Sequence, residues 1–194
     1  MRISLRILAL TALVMTAPAM AAEAPLDVAE AASGTFVRGC AAHVGALDKL
    51  HERLQPGRDL YLPRLPDPAA KPFLQGRQGE AYLREDAGIT LVLLTADDQC
   101  AVFVRKVPSG RMYTQLEKDL RVAVGQYFTI RAAGQENKGP MLSRFIDLLP
   151  AGEYRAELIK TFGAEPNGLR VILTTSETAN PNLQAIITIG TRQP

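Results

Sequence analysis

The residues best suited to chemistry in this chain are its two cysteines and two histidines: Cys40, Cys100, His43 and His51. Cys40 and His43 stand three apart, a spacing that puts both side chains on one face of a helix. An imidazolium beside a thiol lowers the thiol pKa, which would make Cys40 a nucleophile and His43 its base. No Asn or Asp can be assigned to orient that base. A structural zinc ion takes about four ligands, and these four side chains are the entire Cys and His supply. His51 lies eight residues from His43, about 12 Å along a helix, too far to share an ion, so no metal site is expected. The remaining chemistry is a disulfide between Cys40 and Cys100. In an oxidising compartment an even pair favours it, and closing a loop of about 60 residues contributes roughly 4 kcal/mol in the loop-entropy account. The disulfide is the expected state, with two separate buried thiols as the structural alternative. No catalytic residue is assigned.

Other motifs carry less. There is no Gly-rich phosphate loop and no nucleophile elbow. Gly76-Arg77-Gln78-Gly79 precedes a strand rather than a helix, so it reads as a turn with a left-handed glycine. Thr174-Thr175-Ser176 is hydroxyl-rich but has no base nearby in sequence. Asp97-Asp98 and Glu85-Asp86 fall in turns, where Asp caps local backbone groups. Two histidines leave few designs for acid–base catalysis near neutral pH, so a non-enzymatic protein is favoured, with no cofactor.

The N-terminus narrows the setting. Arg2 and Arg6 precede an apolar run from Ile7 to Ala17, then Pro18 and the small-x-small triplet Ala19-Met20-Ala21. This is the layout of a secretory signal peptide over residues 1–21. The apolar run is about 11 residues, short of the roughly 20 that span a bilayer, and no later segment is long enough, so no integral membrane segment is expected. The chain has 22 Lys+Arg and 20 Asp+Glu. Arg2 and Arg6 leave with the leader, so residues 22–194 carry 20 of each. A neutral exported domain argues against nucleic acid as a partner. The mature length of about 173 residues suits one globular domain.

The elements that would position these residues follow from periodicity. Phe36, Val37, Cys40, Val44, Leu47, Leu50 and Leu54 form one apolar helical stripe, predicting a helix over 35–55, with residues 23–34 an arm or its lead-in. Five prolines between 56 and 78 exclude a central strand. They predict a covering segment in which Leu60, Leu62, Leu65, Phe73 and Leu74 cap one end of the core, with a short helix opening at Asp67-Pro68. Residues 80–85, 89–95 and 100–106 read as an antiparallel meander, and 110–125 as a second helix. Strands follow at 127–132, 169–176 and 184–191. A polar loop is expected at 134–140, a segment of ambiguous period at 141–149, and a further strand at 153–162. The order predicts an α+β domain: a single twisted antiparallel sheet of about seven strands with two helices packed on it.

FVRGCAAHVGALDKL, FLQGRQGEAYL and CAVFVRK, within residues 36–106, resemble a poorly characterised family of small exported bacterial proteins. In that family a helix cysteine is followed by a GxxG strand and a second, strand cysteine. The resemblance implies a bacterial periplasmic setting and the Cys40–Cys100 pairing. Together these features predict a periplasmic or secreted accessory or binding protein, a partner of another envelope or exported protein. That class includes secretion-system subunits and inhibitor or immunity proteins. The alternatives are a Cys40/His43 enzyme and a small-ligand or lipid carrier.

Overall fold

The computed structural model describes residues 25–176, 178 and 183–192; the leader expected at 1–21 lies outside them. Asp27 starts the first helix, its Oδ1 accepting hydrogen bonds from the Ala29 and Glu30 amides, which satisfies two of the free N–H groups of the first turn. Helix α1 runs Val28–Arg38 and α2 runs Leu47–Arg53, with a short 3-10 turn at Ala41–His43 between them. The single helix expected over 35–55 is therefore broken. Gly39 ends α1, and a Cβ there would lie 2.8 Å from the Thr35 carbonyl oxygen. Gly45 then turns the chain at φ +73°. The apolar stripe spans the break because both pieces lie on the same core: Phe36, Val37, Cys40, Leu47, Leu50 and Leu54 are all buried, and only Val44, in the turn, is exposed.

Helix α3 (Asp67–Leu74) has Pro68 in its first turn, where the missing N–H costs nothing. Strands β1 (Glu80–Arg84), β2 (Ile89–Leu94) and β3 (Gln99–Val104) form the expected meander, and α4 (Ser109–Val124) the expected second helix. Strands β4 (Phe128–Lys138) and β5 (Met141–Pro150), helix α5 (Gly152–Phe162), and strands β6 (Leu169–Ser176) and β7 (Ala185–Thr191) complete the chain. The seven strands make one open antiparallel sheet in the order β1-β2-β3-β7-β6-β5-β4. This is the α+β architecture the sequence predicts. Helices α1 and α4 lie side by side on one face, burying Phe36, Met112, Leu116 and Leu120 against Leu91, Val102, Val171, Leu173 and Ile187.

Three further expectations change. The polar stretch 134–140 is mostly strand: β4 continues to Lys138 past a bulge between Ala132 and Gln135. That half of the hairpin is exposed, so no alternation marks it. Residues 153–162 are helix, not strand. Every α5 residue is at least partly exposed, which removes the apolar period that distinguishes the two. The Pro-rich segment does not cap one end of the core but wraps the β1 edge. Arg64 bridges to Tyr82, and the Leu65 amide donates to Ala81 while the Leu83 amide donates to Pro63. Leu60 and Leu62 consequently join the helix-covered core, whereas Leu65, Phe73 and Leu74 pack with Ala81, Val92, Leu94, Ala101 and Phe103 on the opposite face.

The GRQG motif has a structural explanation. Gly76 is left-handed, at φ +81°, and a Cβ on Gly79 would lie 2.1 Å from the Leu93 carbonyl oxygen. Gly79→Ala is expected to push β1 off β2 and to destabilise the protein by about 1–3 kcal/mol. Gly110→Ala, with open space at its Cβ in the first turn of α4, is expected to be neutral or stabilising by up to about 1 kcal/mol. Urea denaturation of the two variants checks both.

Candidate functional site

Cys40 and Cys100 are joined in a disulfide, with their Cα atoms 5.3 Å apart. The bond ties the turn after α1 to β3 beneath it, and both residues are buried. In this state Cys40 carries no thiolate. His43 is also committed: its Nδ1–H donates to the Gly39 carbonyl at 2.8 Å, and its Nε2 faces Arg53 Nη1 at 3.1 Å. Arg53 in turn pairs with Asp59. The histidine therefore fastens the 3-10 turn to the end of α2, and the Cys40/His43 dyad is not assembled. His51 lies apart from it, 3.2 Å from Glu80.

Glu80 collects more partners than the sequence indicates. Tyr82 donates to its Oε2 at 2.6 Å, and Arg64 reaches its Oε1 at 3.0 Å. Burial, and then the carboxylate it donates to, push the Tyr82 phenol well above its ordinary range. A carboxylate held by a phenol, a guanidinium and an imidazole is a structural clamp: it fastens the Pro-rich segment and α2 to the first residue of β1. Tyr82 is two residues along β1, but Arg64 and His51 come from other stretches of chain, and no motif joins them.

The second face of the sheet offers a surface instead of a clamp. Helix α3 covers it over β1 and β2 and ends with Phe73 edge-on to Phe103 of β3, ring centres 5.4 Å apart. Beyond α3, among the described residues, the face runs uncovered over β7, β6 and β5. Phe145, Ile172, Ile186 and Thr188 line a groove of about 470 Å3 there, with Phe73 and Arg77 on one wall and Arg170 on the other. Registers Phe145↔Ile172 and Ile172↔Thr188 place these three in one transverse row, with Ile186 in the next, opposite Thr174.

A charged cluster borders the groove. Asp147, 1% exposed, accepts from Arg170 at 2.7 and 3.2 Å. Arg192 lies 3.2 Å and Arg131 3.7 Å from it. The Arg170 hydrogen bonds, reinforced by the positive charge of Arg170, Arg192 and Arg131 and opposed by burial, hold the Asp147 carboxyl below its ordinary value of 3.8. One carboxylate among three guanidiniums leaves that border net positive, and Arg170 also lies over the Phe145 ring at 5.8 Å. The alternation of β6, with Arg170, Ile172 and Thr174 at every second position, held the only advance signal of this surface. Nothing in that pattern says which of the two sheet faces a helix covers.

No family model matches the chain, and comparisons with curated proteins and with solved structures find no match.

Native protein is expected to show no reactive thiol with Ellman's reagent. Cys40→Ala/Cys100→Ala is expected to lower unfolding free energy by up to about 4 kcal/mol, read by urea titration. Asp147→Asn is expected to cost about 2 kcal/mol at pH 7, less than the 3–5 kcal/mol of fully buried pairs because its arginines are partly exposed. A depressed folded-state pKa contributes stability above the unfolded value that is lost as pH falls through the folded one. The gap between wild type and Asp147→Asn should therefore close as pH drops below about 4.

Proposed function

We propose that this chain is an exported, non-enzymatic binding protein that docks another envelope or exported protein on the uncovered sheet face. The observation that carries the reading is the cluster Phe145, Ile172, Ile186 and Thr188, half-buried in a groove that no described helix covers. Aromatic side chains and arginine are enriched at protein interfaces, and arginine also among the residues that dominate binding energy. The leader-like N-terminus and the disulfide support export. The resemblance over residues 36–106 to a family of small exported bacterial proteins supports a periplasmic setting. Against catalysis stand the chemical commitments of the best-equipped side chains: Cys40 is bonded, His43 is engaged at both ring nitrogens, and Glu80 is held by three partners. The partner surface that fits is apolar with an acidic border facing Arg170, Arg131 and Arg77. Inhibitor, immunity and secretion-subunit roles fall within this reading.

Cross-linking and co-purification from envelope extracts test this. Wild type is expected to retain one partner in stoichiometric amount. Ile172→Glu and Phe145→Glu are expected to lose it, and Val122→Glu, on the exposed side of α4, to keep it. Retention by both face variants would overturn the reading.

A further inference from the structure

The open half of the sheet is ordered into three parallel rows. Phe145, Ile172 and Thr188 stand opposite one another on β5, β6 and β7 and make an apolar row, each side chain half-buried. Two residues along each strand, about 7 Å away, Arg131, Asp147 and Arg170 make a charged row on β4, β5 and β6, which Arg192 joins. Two residues the other way, Ser143, Thr174 and Ile186 make a third row. There the Ser143 and Thr174 hydroxyls satisfy each other at 2.9 Å, and Glu136 stands at the β4 end, two rows from the guanidiniums. The apolar row is therefore flanked by positive charge on one side and by paired hydroxyls on the other.

The charge on that side is in excess. Three guanidiniums share the one Asp147 carboxylate, and Arg131, 60% exposed, reaches it only at 3.7 Å. The backbone restricts the form of a partner as well. Strands β5, β6 and β7 are each paired on both sides, so the strip has no free edge to which an extended segment could add. An element that packs on a face must arrive with its own backbone hydrogen bonds made, and a helix makes them within one segment. Its turns repeat every 5.4 Å or so, close to the strand spacing of about 4.8 Å. Side chains one turn apart on a helix laid along the apolar row thus each meet one strand. The chain itself covers the other face in this way, with α1 and α4 side by side, whereas here α3 packs over β1 and β2 and reaches only as far as β3 through Phe73.

We propose that the open strip receives an amphipathic helix of another protein, about three turns long, lying across β7, β6 and β5. Its apolar residues sit on Thr188, Ile172 and Phe145, and glutamates or aspartates along one flank meet Arg131 and Arg170. The inference rests on the docking face of the proposed function and adds the form and charge of what docks there. Guanidinium at that border selects carboxylates, which it holds through paired N–H donors, and a basic flank would meet like charge.

Three capped peptides of about 15 residues serve as probes. One carries leucines along a single helical face with glutamates beside them, one has lysines in place of the glutamates, and one has the first composition scrambled so that the leucines share no face. In methyl NMR titration of the mature protein the glutamate peptide is expected to give saturable shifts at Ile172 and Ile186, to gain helical circular dichroism on binding, and to bind about tenfold tighter than the lysine peptide. Arg131→Gln is expected to weaken the glutamate peptide about tenfold with the melting temperature close to wild type. Phe145→Glu should abolish binding, and Val122→Glu should leave it unchanged. The proposal is overturned if the glutamate peptide does not saturate, if the lysine or scrambled peptide binds as tightly, or if Arg131→Gln binds as wild type does. A wild-type dimer in sedimentation that Ile172→Glu dissolves would also overturn it, giving the face to a second copy. If the peptides fail while Phe145→Glu still loses the protein captured from envelope extract, the helix is wrong and the docking face stands. If both fail, the docking reading fails with it.

Discussion

A covalent bond between the turn after α1 and the second residue of β3 determines how the helical layer sits on the sheet. Cys40 follows α1 by two residues, and Cys100 pairs in register with Leu93 on one side and Ile189 on the other. The bond therefore anchors the end of α1 over the middle of the sheet. A helix continuing straight from Phe36 through Leu54 would have to leave that point along its own axis. Gly39 and Gly45 instead let the chain turn on the anchored cysteine, and α2 returns to the same apolar layer. His43 locks the turn from inside by closing the Gly39 carbonyl and facing Arg53.

The two faces of the sheet are finished differently. On one, α1 and α4 bury a continuous layer of leucine, isoleucine, valine and methionine. On the other, α3 covers only the meander half. The cost of leaving the rest open is reduced by what stands there: Thr174 and Ser143 hydrogen-bond to each other at 2.9 Å across β6 and β5, and Asp147 draws Arg170, Arg192 and Arg131 over the sheet. Polar and charged side chains thus occupy part of a surface that would otherwise present only Phe145, Ile172 and Ile186. The β1 edge is similarly closed by a backbone bond from the Leu83 amide to the Pro63 carbonyl and one from the Leu65 amide to the Ala81 carbonyl. Among the described residues the β4 edge has no such cover and instead carries a bulge and the charges of Arg131, Glu136 and Lys138, features that discourage edge pairing.

The sequence by itself determined the elements whose side chains have an inside and an outside. The stripe of α4, the continuous apolar run of β2 and the alternation of β6 and β7 are legible because burial imposes a period on them, and the cysteine pairing is legible because only two cysteines exist. Segments without a buried face were misread: α5, with no buried residue, and the outer half of β4, exposed on both sides. The break between α1 and α2 escaped because both pieces face one core and so continue one pattern. The sites depended on tertiary structure altogether. Glu80 meets Arg64 and His51, and Asp147 meets Arg170 and Arg192, each from separate stretches of chain. Periodicity reports which side of an element faces inward. It carries no information about which elements become neighbours or which sheet face stays open, because those depend on how α1, α3 and α4 share the available apolar surface.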